Sequence, residues 1–137
     1  MKTFEELECW KKAAALRKKL SMLTKSFPSD EKFKLTDQII RASRSVTANI
    51  AEGYGRFHYK EYIQFCRQGR ASLYELLDHI LVAFEEMYIS ESQLKELKSD
   101  LIECIALLNG FINYLVKAKD QSGAKEPEVE YSPTFNN

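Results

Sequence analysis

Apolar residues recur along this chain at steps of three and four, the period of one helix face. Cys9, Ala13, Leu16, Leu20, Leu23 and Phe27 form one such stripe, widened by Leu7, Trp10 and Ala14. The pattern predicts a first helix over about residues 4 to 26, with Thr3 and Glu6 spaced as a capping box at its start. In "FPSDEKFK" the periodicity breaks, because Pro28 cannot continue the backbone hydrogen bonding. A second line, Leu35, Ile39, Ala42, Val46, Ile50 and Gly53, predicts a helix over residues 35 to 54, with Lys34, Arg41 and Arg44 on its opposite side. Tyr62, Phe65, Cys66, Gly69, Leu73, Leu76, Ile80, Phe84 and Met87 mark the inner face of a third helix over residues 59 to 87. Ser90 with Gln93 caps a fourth, whose stripe of Leu94, Leu97, Leu101, Ile105, Leu108, Ile112 and Leu115 ends near Lys119.

Four amphipathic helices on short connections predict an all-α fold, an antiparallel up-down-up-down four-helix bundle over residues 1–119. Residues 120–137, "DQSGAKEPEVEYSPTFNN", lose the periodicity and gain proline, serine and acidic residues, so a flexible acidic tail is expected there. A length of 137 residues suits one domain with a substantial core. The longest apolar runs, "ILVAF" and "CIALL", fall short of the roughly 18 to 20 residues of a membrane span. "MKTFEELECW" lacks the apolar segment of a secretory signal, so no membrane association is expected. Net charge is zero but uneven. Residues 1–70 hold 15 Lys and Arg against 8 Asp and Glu, and residues 71–137 hold 5 against 12. Such separation can serve a nucleic-acid face, complementary subunit surfaces, or attraction between neighbouring helices.

Some residues point away from the predicted core. Tyr74 and Leu81 on the third helix, with Leu107 and Tyr114 on the fourth, are outward apolar pairs seven residues apart and predict the subunit contact of a homo-oligomer. Lys60, Arg67 and Arg70, with Arg41 and Arg44, are candidate phosphate contacts for RNA or DNA. Tyr54, Phe57 and Tyr59 interleave with Arg56 and Lys60 and could stack on bases. Asp37, Glu52 and Glu61 sit among these cations, so an ordinary solvated face is the competing reading. Asn49 falls some 70° from the core line of its helix at about 100° per residue. With Glu52, Ser72 and Glu75 it is expected to form a polar lock between helices two and three, with Arg56 or Gln38 in reach. Gly53 would let another helix approach closely, and Gly55 reads as a left-handed stop.

Catalytic chemistry is not expected. Glu75 and His79 could share a metal at i, i+4, but the Glu-x-x-His motifs of di-iron bundles are missing and a surface ion pair is the favoured reading. No phosphate loop or supported nucleophile is present, and neither a cofactor nor a metal is expected. Cys9, Cys66 and Cys104, without paired spacing, read as reduced, buried thiols.

"FPSDEKFKLTDQIIRASRSVTANIAEGYGR", followed by "GRASLYEL", resembles the bacterial four-helix-bundle proteins associated with intervening sequences in 23S rRNA genes. The matching positions include Phe27, Pro28, Glu31, Phe33, Ser45, Asn49, Glu52, Gly53, Arg56, Ser72 and Glu75, and the resemblance reaches back through Phe4, Leu7 and Trp10. It implies a cytoplasmic bacterial protein, an antiparallel bundle and a ring-shaped pentamer. More distantly the chain is similar to accessory bundle proteins of diversity-generating retroelements, which bind nucleic acid and a reverse transcriptase. The expected function is that of a non-enzymatic, self-assembling interaction or accessory protein linked to RNA metabolism. It would act on a protein partner, or alternatively on nucleic acid through helices two and three.

Overall fold

The structure, a computed structural model, describes residues 3–122. Four helices form: α1 (Glu8–Leu23), α2 (Leu35–Tyr54), α3 (Tyr59–Glu85) and α4 (Glu91–Ser122), with single 3₁₀ turns at Phe4–Glu6, Thr24–Ser26 and Ser29–Glu31. Each helix packs on two neighbours, in the ring order α1–α2–α3–α4 and back to α1, with α2 and α3 in the most extensive contact. The fold is all-α, a four-helix bundle.

Its core is a continuous apolar interior running from Leu7 and Leu20 through Ile39, Ile50, Leu73, Leu76 and Ile80 to Leu101, Leu108 and Leu115. One end is closed by rings from every helix. Phe4 stands edge-on to Trp10 and Tyr54, Tyr54 to Tyr62, and Tyr62 to Phe111. At the other end Phe27 packs on Tyr88, whose hydroxyl donates to Glu31 Oε2 at 2.8 Å. That bond and the nearby negative charge push the Tyr88 phenol up to about 12. Between α2 and α3 the backbones come close. A Cβ on Gly53 would stand 2.8 Å from Tyr62 Cδ1 and 3.0 Å from Phe65 Cβ, so the close approach requires glycine there.

Helix ends depart from the sequence expectation in four places. α1 starts later, because Leu7 adopts extended backbone (φ −69°, ψ 129°) to reach the core; Thr3 caps the preceding turn by accepting from the Glu5 N–H. Gly55 is not the left-handed stop: its φ is −72°, and Phe57 takes the positive φ of 58° instead. α3 ends at Glu85, which leaves Phe84 and Met87 exposed rather than inside, while Ile63 and Ala83 are buried. α4 continues to Ser122, so residues 120–122 are helical; the rest of the expected tail, residues 123–137, lies outside the described residues. The Ser90–Gln93 capping box forms, with Gln93 N–H donating to Ser90 Oγ at 3.1 Å and Ser90 N–H to Gln93 Oε1 at 2.8 Å.

Although its unbroken apolar runs are short, α4 has the length and hydropathy of a membrane span, with a mean of 1.4 over 18 residues. Here 44% of that stretch is buried, and α4 packs on α1 and α3.

Candidate functional site

The predicted polar lock assembles around a residue outside the predicted set. Asn49 Nδ2 donates back to the Ser45 carbonyl at 2.8 Å and reaches Ser45 Oγ at 3.0 Å, and Ser45 Oγ meets Ser72 Oγ across the α2–α3 seam at 3.0 Å. Ser45 is therefore the bridging residue. Glu52 and Glu75 take no part: Glu52 lies 3.5 Å from Arg56, and Glu75 3.0 Å from His79, both four residues along the chain. Arg56 also sits 5.1 Å over the Phe65 ring. Among the described residues, no group of three or more His, Cys, Asp or Glu is placed to hold a metal. All three cysteines are free and buried, and burial pushes the Cys9 and Cys104 thiols up to about 12.

The five predicted phosphate contacts do not share a face. Arg44 lies on the α1 side of α2, in a groove with Arg17 and Lys18. Arg70 reaches the other way and donates to Asn109 Oδ1 of α4 at 2.8 Å. Arg41 lies 3.6 Å from Asp37. Lys60 and Arg67 are exposed on α3. In a ring of four helices the α1–α2 and α3–α4 surfaces are opposite sides, so Arg44 and Arg70 cannot grip one strand together.

The charge asymmetry is partly spent inside the bundle. Lys12 contacts Asp100 and Glu103, and Lys19 contacts Glu96 and Asp100, all between α1 and α4 at 2.6–3.4 Å. Burial alone would raise the Asp100 carboxyl. The hydrogen bond from Lys19 and the charges of Lys19 and Lys12 outweigh it and hold the group below its usual range.

The predicted subunit contact also splits. Tyr74 (55% exposed) and Leu81 remain on the surface of α3, whereas Leu107 and Tyr114 are partly buried against the core. A different α4 residue stands out, Ile102, which is 60% exposed. The Arg70–Asn109 bond fixes the antiparallel register, and seven residues along each helix it sets Ile102 level with Leu77. Tyr74, Leu77, Leu81 and Phe84 fall within about 80° of one another at 100° per residue, on the side of α3 that carries Arg70. By helix phase Ile102 lies on the α3-facing flank of α4, where it stands among Lys95, Lys98, Ser99, Glu103 and Ala106. Sequence periodicity missed Ile102 because it stands alone off its own helix's stripe.

The family described as 23S rRNA-intervening sequence protein matches residues 5–110. No curated protein matches the chain. Among solved structures, the chain is similar to a protein of unknown function from the S23 ribosomal protein family of Bacteroides thetaiotaomicron, solved at 1.70 Å. The two are 22% identical with a TM-score of 0.71, over 77% of this chain and 95% of that one, a likeness of fold. The family match spans both halves of the α2–α3 seam, including the Asn49–Ser45–Ser72 bridge and the glycine that lets the helices close on it. This chain belongs to the 23S rRNA-intervening sequence protein family.

Proposed function

We infer that this protein is a non-enzymatic, self-assembling interaction module. The observation that carries the reading is the exposure of Tyr74, Leu81, Phe84 and Ile102, which helix phase assigns to the α3–α4 face. Large apolar side chains gathered on one face of a bundle whose core is already filled mark a surface that another protein covers. The occupant is a second copy of the chain, in a closed ring for which the family resemblance suggests five subunits. Groups that could have done chemistry are engaged structurally. His79 is held by Glu75, Asn49 by Ser45, and the thiols are buried with raised pKa values. The family's description connects it with 23S rRNA intervening sequences, which supports a role near RNA metabolism.

Light scattering on a size-exclusion column tests this directly. The wild-type protein should run as a discrete oligomer, and Leu81→Glu or Ile102→Glu should shift it to monomer without loss of helical signal. A wild-type protein that stays monomeric at high micromolar concentration contradicts the reading.

A further inference from the structure

On the side opposite the α3–α4 face, a groove runs between α1 and α2 in two connected parts. The first, about 470 Å³, is lined by the small residues Ala14, Ala15 and Ser43 and by Arg17, Lys18 and Arg44. Ser21 and Ile40 line both parts, and the second, about 560 Å³, continues past Lys25 to Lys32 and Phe33. Asp37 is the one carboxylate lining either part, and Arg41 Nη1 lies 3.6 Å from it.

Apart from Lys11, which pairs with Glu8 on its own helix, the cations on and around α1 divide by direction. Lys12 and Lys19, toward α4, each hold two carboxylates. Arg17, Lys18, Lys25, Lys32 and Arg44, along the groove, form no ion pair among the described residues. Arg17 is instead fixed in place, with Nη1 donating to Thr47 Oγ1 at 2.8 Å and the guanidinium 5.9 Å over the Trp10 ring. These five cations outnumber Asp37, which pairs with Arg41, and Asp30, exposed on the turn beside Lys32, an excess of positive charge suited to a polyanion. At the end of the groove stands Phe33, 85% exposed, with Lys32 Nζ 5.5 Å from its ring. An aromatic plane left in water beside a row of cations matches a strand whose bases are free to stack. A duplex keeps its bases stacked inside and has none to offer Phe33.

We propose that the α1–α2 groove binds a single-stranded nucleic acid, with Arg17, Lys18, Lys25, Lys32 and Arg44 on its phosphates and Phe33 stacking one base. The site lies within one chain and does not depend on the assembly reading.

Fluorescence anisotropy of a labelled oligouridine of about 12 nucleotides with the full-length protein tests it. Binding is expected at about 50 mM salt and should weaken as salt rises, with a log–log slope near −3 for four to five phosphate contacts. The double variant Lys18→Glu/Arg44→Glu should lose at least about tenfold in affinity, and Phe33→Ala about fivefold or more, with helical content unchanged. Lys60→Glu/Arg67→Glu on α3 serves as the control and should change affinity by less than about twofold. Absence of binding at low salt, or an equal loss in the α3 control, would overturn the assignment. So would polyglutamate of equal charge displacing the oligonucleotide as readily, which would make the groove a seat for an acidic protein.

Discussion

Met87 carries a positive φ of 63° with its side chain 88% exposed, at the position where helices usually end on glycine. The Tyr88 N–H donates to the Ala83 carbonyl at 2.9 Å and the Met87 N–H to Phe84 at 3.0 Å, the paired bonds of a Schellman motif. A side chain with a Cβ is strained in that conformation and here packs on little. Met87→Gly should therefore raise stability by about 0.5–1 kcal/mol, after the extra freedom glycine gains in the unfolded chain, as a higher urea midpoint would show. The two positive-φ residues among those described are Met87 and Phe57, neither a residue type that announces such a turn. For that reason the sequence pointed to Gly55 instead. Ser45 was hidden for a similar reason: a serine on a helix flank is unremarkable until Ser72 is seen 3.0 Å away.

The α2–α3 pair shows what an element needs from one position. Gly53→Ala would drive a methyl group to 2.8 Å from a Tyr62 ring pinned by Tyr54 and Phe111. The overlap outweighs alanine's better helix propensity, so a net loss of about 1–2 kcal/mol is expected in chemical denaturation. At Gly69 a Cβ meets nothing closer than 3.4 Å, and Gly69→Ala should be neutral within about 0.5 kcal/mol or slightly stabilising.

The α1–α4 pair carries the pH dependence. Asp100 is depressed from its ordinary 3.8, so the stability it contributes is full at neutral pH and is lost as pH falls through that lowered range. Lys12 and Lys19 are raised above 10.5, so their share persists through neutral pH and is lost only in strong alkali. Asp100→Asn should cost about 1 kcal/mol at pH 7, and its urea midpoint should converge on the wild-type value near pH 2. Helix number and the core stripes were legible from period alone. Both ends of α2 and the start of α3 were legible as well; the start of α1 was not, because Leu7 turns to extended backbone to reach the core, nor were the ends of α3 and α4 at Glu85 and Ser122.

At the scale of the whole molecule, the bundle has two unlike sides. α3 and α4 present Tyr74, Leu81, Phe84 and Ile102, whereas α1 and α2 present the cationic groove. The excess positive charge of the first 70 residues was visible in the sequence, but its division was not. Part neutralises α4 and part lines the groove, and only the ring order of the helices separates the two. The outward apolar pairs were half legible: Tyr74 and Leu81 lie on the surface, while Leu107 and Tyr114 fall beside the α1–α4 seam and pack on the core. In a closed ring each α3–α4 face meets a different surface of the next subunit, and the account places that second surface away from the groove.

Photo-crosslinking from single positions in the full-length protein tests that arrangement most directly. A benzophenone amino acid at position 102 should give covalent protomer–protomer products, and the same group at position 18, lining the groove, should give none. Crosslinks from position 18 between protomers, or only monomer from position 102, would contradict it.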